Sequence, residues 1–350
     1  MAERILELEA EAEAQTGPVV LSRYIDRLDA AIRAVAPSPR SRLGRMASYH
    51  LGYCTPEGHP AASDPGKRIR AALCLWSCEA LGGDAERAVP AAVAVELVHN
   101  FTLIHDDIQD GDEQRRHRDT VWTVWGVPQG INAGDGMHAL ALQVLLAPGR
   151  DRARRTRAAH ALSAAIVEVV EGQCMDIALE GSPAASRPTY LRLVRAKTGA
   201  LLGASMAAGA ILAGAPAATV RSFDSAGRLL GLAFQIRDDW LGVWGDPALT
   251  GKGRTGDLRR RKLTCPVVAA YEVAPTQRRR ELRRLFADPR PGGDFRLRAL
   301  LDELGGPDLT AGVPFVLARD AIAMLGGCRL GARSLEEFAE LAIHVADRDR

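Results

Sequence analysis

The chain has 350 residues, enough to bury a sizeable core, and its 45 basic against 43 acidic side chains leave a net charge of only +2. That balance supplies no global field for nucleic acid or an anionic membrane. Aromatic residues make up 5% of an alanine-, leucine- and arginine-rich sequence with few β-branched runs, which favours helix over sheet.

The amino-terminal MAERILELEAEAEA is acidic and lacks a basic segment followed by an apolar core, so no secretory signal is expected. Residues 1–17 read as a loose tail and 18–350 as one all-α domain. Helical periodicity predicts helices over 19–36, 68–81, 85–112, 132–147, 152–180, 188–213, 219–244, 264–272, 276–287, 295–304 and 334–346. Pro- and Gly-rich segments at 55–66, 180–188, 244–256 and 288–294 punctuate them. Cysteines 54, 74, 78, 174, 265 and 328 are scattered and read as reduced thiols rather than a metal or disulfide site. The uncharged stretch 198–220 is long enough to span a bilayer, but it is mostly Ala and Gly, so a buried helix is expected. Basic runs at 152–157 and 278–284 lack interleaved aromatics and read as solvated helix faces.

Chemistry concentrates in LIHDDIQDGDEQRR (103–116), which follows a core-like helical stretch. Asp106 and Asp110 are four apart and share a helix face, with Asp107 beside them. Packed carboxylates in such a helix need a neutralising cation, and Mg²⁺ suits them because it binds one or two carboxylates plus substrate phosphates. A second acid pair, Asp238 and Asp239, recurs in FQIRDDWLGVWGD. Cations suited to a diphosphate accompany the two pairs: Lys67, Arg68 and Arg70 in GKRIR, then Arg115, Arg116, Lys197 with Thr198, Lys252 and Lys262. GKGRTG (251–256) matches GxGxxG, but no strand precedes it, so a dinucleotide fold is not expected.

Taken in order, GKRIRAAL, ELVHNFTLIHDDIQD, RR, INAGD, EGQCMDI, KTGAL, FQIRDDWLGVWGD, GDLRRRKLTCP and the terminal ADRDR resemble the trans-polyprenyl diphosphate synthases of the farnesyl/geranylgeranyl diphosphate synthase family. The resemblance implies an all-α, single-domain helical bundle around a deep central cavity, of the isoprenoid synthase type. It further implies a cytoplasmic homodimer that condenses isopentenyl diphosphate with an allylic diphosphate. By motif, Asp106, Asp110 and Asp238 would hold Mg²⁺ (three ions with substrate diphosphate), supported by Asp107 and Asp239. Arg115, Lys197, Lys252 and Lys262, helped by Thr198 and Gln235, would hold the allylic diphosphate. Lys67, Arg70, His99 and Arg116 would hold isopentenyl diphosphate; without the motif, His99 reads as a core histidine. No Ser-His-Asp or Cys-His arrangement is evident, consistent with ionisation chemistry in which the departing diphosphate takes the proton.

Phe101 lies five residues before Asp106, about 7.5 Å deeper along a helix. An aromatic there, small Thr102 beside it, and no insertion in DDIQD resemble C20-producing members, with Val98 one turn further down. Farnesyl diphosphate (C15) synthase, a terpene cyclase and a non-catalytic partner subunit are the alternatives. The sequence departs from the family at Gly242, where many relatives carry a third Asp and where Asp246 stands four residues on. It departs again at Ala71, at His117 in place of a glycine, and over 308–327, a poor match to the family's late helices.

Overall fold

The computed structural model describes residues 18–61, 66–182, 186–245, 256–288, 290 and 292–348. Helices make up nearly all of the regular structure, as the composition requires. Among the described residues the chain forms two compact units, one of residues 19–164 with 204–224, the other of 165–203 with 225–348.

The first unit opens with α1 (Val19–Val35), which buries Val20, Tyr24, Leu28 and Ile32 at successive i+4 positions. Next, α2 (Arg42–His50) is capped by Ser41, whose hydroxyl accepts from the Gly44 N–H at 3.0 Å. Periodicity did not predict α2, because RLGRMASYH is polar and carries a glycine. Gly44 is there for space: a Cβ would lie 2.1 Å from the Ser38 carbonyl oxygen. Almost wholly buried α3 (Ile69–Ala80) packs against α4 (Ala85–Asp110). The latter starts at the Asp84 cap and ends at Gly111, whose φ of 67° provides the left-handed stop. A two-residue hairpin, β1 (Gln114–Arg115) with β2 (Arg118–Asp119), follows and was not predicted. Then come α5 (Val121–Trp125) and α6 (Val127–Leu146), the second packed along α4. Pro128 in its first turn starts α6 earlier than the predicted 132.

Helix α7 (Arg152–Leu179) runs on into the second unit, and α8 (Arg187–Val194) leads there into a π-helical turn, Arg195–Gly199, before α9 (Ala200–Ala213). The predicted helix 188–213 is therefore continuous but holds one wide turn. α10 (Ala217–Trp244) carries the second acid pair. Beyond it lie α11 (Gly256–Arg259), α12 (Cys265–Val273), α13 (Thr276–Ala287) and α14 (Gly293–Glu303). The predicted helices over 276–287 and 295–304 match α13 and, within two residues, α14. Like α2 and the short α5 and α11, α15 (Gly306–Ala311) and α16 (Val313–Gly326) were missed; there Pro307 and Pro314 sit in first turns and start helices rather than break them. α16 packs against the last helix, α17 (Ala332–Asp347). The core of the second unit is built from Tyr190, Leu193, Leu232, Ile236, Val267 and Phe286 with their neighbours.

Three helical stretches are long and apolar enough to cross a membrane: Ala85–Asp110, Arg187–Ala213 and Gly306–Gly326, with 67%, 83% and 33% of their windows buried inside the protein.

Candidate active site

In the first unit the end of α4 places Asp106 and Asp110 on one partly exposed face and turns Asp107 inward, where it is 1% exposed. The neighbouring side chain Arg115 donates from Nε to Asp107 Oδ1 at 2.7 Å, while Asp107 Oδ2 is buried without a protein partner. Burial pushes the Asp107 carboxyl up to about 6, with Arg115 pulling the other way. An ionised carboxylate so placed is tolerable mainly when further positive charge arrives, which fits a divalent cation on this helix end.

The arginines owe their positions to the hairpin. Arg116 and His117 form its two-residue turn at φ 51° and 60°, the two positive values that a type I′ turn requires. His117 therefore occupies a position that glycine fills without strain. Arg118 locks the hairpin to the end of α2: its Nη2 donates to the Tyr49 carbonyl at 2.9 Å, and its guanidinium lies 4.3 Å above the Tyr49 ring. Tyr49 answers with its hydroxyl on the Asp119 carbonyl at 2.8 Å.

Arg116 reaches back over Gly66, so closely that a Cβ on that glycine would lie 2.4 Å from Nη2. The GKRIR motif and the arginine pair, some fifty residues apart in sequence, thus meet. Arg70 Nη1 lies 3.2 Å from His99 Nε2, and His99 is held far below its ordinary value, first by burial and then by Arg70, Arg116 and Arg115. Guanidinium groups gathered around an uncharged histidine make this an environment suited to an anion. A cleft beside it, open to solvent, is bounded by Tyr49, His50, Asn100, Asp107, Arg115 and Arg116.

Lower on α4, Phe101 stacks on His138 of α6 (centroids 5.0 Å, 28°) and meets His105 edge-on at 5.8 Å. Thr102 donates its hydroxyl to the His99 carbonyl at 2.7 Å, and Val98 is fully buried.

The second unit gathers the other candidates. In the π turn, Lys197 Nζ donates to Asp176 Oδ2 at 2.6 Å, and Lys262 reaches the same oxygen at 3.5 Å. Gly172 makes this possible, because a Cβ there would lie 2.4 Å from the Lys197 backbone nitrogen. Burial opposes ionisation of Asp176, but the two ammonium groups outweigh it and hold the carboxyl below its usual value. Thr198 donates to Gln235 Oε1 at 2.8 Å, and Gln235 Nε2 donates to Asp239 Oδ1 at 2.9 Å. Asp239 also accepts from the Tyr190 hydroxyl (2.6 Å) and the Cys265 N–H (2.8 Å), yet burial pushes it up to about 7. Its oxygens are committed to protein donors. Asp238, more exposed, pairs with Arg348 at 2.5 Å. Lys252 and Asp246 lie outside the described residues.

Gly242 has a structural counterpart. A Cβ there would lie 2.6 Å from Asp257 Oδ2, so the acid of GDLRRRK occupies the space a larger residue would need. Among the described residues no group of three or more His, Cys, Asp or Glu is preassembled around a metal position. Two carboxylates per helix match a cation that completes its shell with substrate oxygens and water. Sequence reasoning missed four participants: His50, Asp176, Asp257 and Arg348. Asp176, Asp257 and Arg348 each lie in a quoted motif, EGQCMDI, GDLRRRKLTCP and ADRDR, whereas His50 lies in none.

The all-α fold and these diphosphate-suited clusters define a class, and the comparisons agree with it. The polyprenyl synthetase family model matches residues 58–303. A geranylgeranyl diphosphate synthase of Mycobacterium tuberculosis is 43% identical over 276 residues, spanning 79% of this chain and 78% of that protein. A (2E,6E)-farnesyl diphosphate synthase of the same species is 44% identical over 247 residues, 71% of this chain and 65% of that protein. The crystal structure of a polyprenyl synthetase from Streptomyces coelicolor superposes with a TM-score of 0.85 at 39% identity, covering 93% of this chain and 98% of that one. The chain belongs to the polyprenyl synthetase family. It is a prenyltransferase of the short-chain prenyl diphosphate synthase kind.

Proposed function

We propose that this enzyme condenses isopentenyl diphosphate with allylic diphosphates up to the C20 stage, making geranylgeranyl diphosphate, with residues 18–350 acting as one catalytic domain. The observation that carries the reading is Phe101, stacked on His138 below the Asp106–Asp110 face. Arg70, His99, Arg116 and Lys67 bind isopentenyl diphosphate. Arg115, Lys197, Lys262 and Lys252 bind the allylic diphosphate, and Thr198 and Gln235 orient Lys197 and Asp239. Asp106, Asp110 and Asp238 are the carboxylates for Mg²⁺, three ions with diphosphate bound; Asp107 and Asp239 support them, Asp107 through Arg115 and Asp239 through Gln235. Bound Mg²⁺ supplies charge that stabilises the departing diphosphate.

The cations then act on that same developing charge. The allylic C1–O bond breaks with both electrons leaving on diphosphate, the isopentenyl double bond attacks C1, and a proton passes from the new cation to the diphosphate. Buried neutral His99 donates or accepts a hydrogen bond without discharging the arginines around it. Exposed Val127, Ile131 and Leu146 on α6 support a homodimer, and a cytoplasmic location is proposed with it.

Incubation with Mg²⁺, isopentenyl diphosphate and C5, C10 or C15 primers tests this reading. Elongation ending at C20 is expected. Termination at C15 favours the farnesyl reading that one relative's name supports, cyclised hydrocarbon indicates a terpene cyclase, and inertness a partner subunit.

A further inference from the structure

Arg68 stands in the middle of GKRIR, where spacing groups it with Lys67 and Arg70 as a cation for diphosphate, yet the fold turns it to the interior. Its side chain is 2% exposed. It immediately precedes α3 in a left-handed conformation, φ 46° and ψ 34°, and its side chain makes no capping hydrogen bond. A residue with a Cβ holds that conformation only where its surroundings impose it. Here they come from three other segments of the first unit. Arg68 Nη2 donates to Asp29 Oδ1 of α1 at 3.1 Å and to the Tyr53 hydroxyl at 3.0 Å, and Tyr53 donates to the same Asp29 oxygen at 2.9 Å. Arg68 Nη1 faces Glu96 Oε1 of α4 at 3.5 Å, and Glu96 is itself buried. Arg33 completes the cluster, donating from Nε to Asp29 Oδ2 at 2.6 Å with its guanidinium 3.8 Å over the Tyr53 ring. Two carboxylates thus answer two guanidinium groups, so the Arg68 charge is balanced inside the protein rather than offered to an incoming anion.

The cluster bears on the anion pocket through its neighbours in sequence. Gly66, two residues before Arg68, lies against Arg116, and Arg70, two residues after it, reaches His99 at 3.2 Å. On α4, Glu96 stands one turn before His99 and Asn100, and Asn100 Nδ2 donates to the Glu96 carbonyl at 2.8 Å and to its Oε1 at 3.2 Å. The start of α3 is therefore tied to α4 at two successive rungs, Arg68 to Glu96 and Arg70 to His99. A left-handed residue fixed at the first rung sets the turn at which α3 begins, and with it the place of Arg70 two residues on.

Resting on the reading of Arg70 and His99 as ligands of isopentenyl diphosphate, we propose that Arg68 is a positioning residue: buried between Asp29 and Glu96, it holds the start of α3 against α4 and so sets Arg70 beside His99, while making no contact with either substrate.

The test is calorimetric titration of the full chain with isopentenyl diphosphate in EDTA, alongside steady-state kinetics with each substrate varied in turn. R68M keeps the length of the side chain and removes its donors. It is expected to weaken isopentenyl diphosphate binding by about tenfold, the scale of one charge-assisted hydrogen bond at a displaced Arg70. The KM for isopentenyl diphosphate rises with it, while the KM for the allylic diphosphate holds. R68K offers a point charge in place of a planar fork and meets one carboxylate rather than both, so a loss of about threefold is expected. D29A loosens the cluster from the α1 side, where Asp29 is 26% exposed, and should act in the same direction by about threefold. Wild-type affinity in a folded R68M overturns the proposal, as does an equal rise in both KM values, the result of a general loosening. Where circular dichroism shows R68M unfolded, D29A decides, and wild-type affinity there overturns the proposal. A wild-type protein that binds no isopentenyl diphosphate overturns both the proposal and the reading of the pocket. One that binds it but elongates no primer sinks the synthase reading alone, because the titration reads Arg68 without turnover.

Discussion

Replacing Phe101 by alanine is the most informative single perturbation of product length. The ring is 6% exposed, lies flat against His138 at 5.0 Å and touches His105 edge-on. It stands five helical residues below Asp106, about 7.5 Å from the carboxylate layer. Val98, the next side chain on that stripe, is three residues further, about 4.5 Å. Truncation therefore opens the room between the two layers, enough for one further C5 unit. The cost is that of a large-to-small change, about 3 kcal/mol, at the low end of the range because a prenyl chain can refill the space. The expected outcome is a main product displaced from C20 to C25, with a thermal melt lowered but still cooperative. Phe101→Leu should give a smaller displacement. Reversed-phase chromatography of the dephosphorylated products measures it. A folded Phe101→Ala enzyme with an unchanged product profile refutes the reasoning, since the ring would then be ordinary core.

Three further outcomes follow from the two units. His99 is neutral in the folded protein, so its folded value lies below its unfolded one and the stability it contributes is full above about pH 6.5 and falls as pH drops below it. The melting-temperature advantage of wild type over His99→Gln should accordingly shrink between pH 7.5 and 5.5, and a constant difference would contradict it. Asp176→Ala leaves Lys197 and Lys262 without their shared oxygen; a loss of about 3 kcal/mol at pH 7 is expected, measurable by denaturant melts, with reduced affinity for the allylic substrate. The Asp176 carboxyl is held low, so this contribution persists above about pH 4 and disappears as pH falls through the depressed folded value. Gly242→Asp, which restores the family's common acid, should lower stability and activity rather than raise them, because it sets a second negative charge against the Asp257 carboxylate, whose Oδ2 lies 2.6 Å from the Cβ position and must swing aside; improved turnover would overturn this account.

Helix geometry made part of the site legible in advance. A four-residue spacing puts Asp106 and Asp110 on one face in any α-helix, and an apolar run upstream buries that helix, so both features follow from periodicity alone. Other features depend on what approaches from far away. Asp176 and Lys197 are 21 residues apart and Thr198 and Gln235 are 37 apart, distances at which no local pattern records a contact. α2 escaped notice because its nine residues bury Met46, Ala47, Ser48 and Tyr49 only once the hairpin and α6 pack on them. Asp239 shows the difference sharply. In sequence it is one of two equivalent acids, whereas in the fold Tyr190, Gln235 and Cys265 surround it and leave Asp238 as the more exposed member.

By itself the sequence determined the helical class, most of the helix boundaries, the two acid-bearing helices and, through the ordered motifs, the family. Each of those is encoded in local spacing, composition or the order of short motifs. The tertiary structure decided which charges are neutral and which oxygens are committed: that His50 and His99 sit uncharged among arginines, that Asp176 joins two lysines, and that Asp257 fills the space beside Gly242. Those properties depend on burial and on through-space neighbours, and neither exists until the chain has packed.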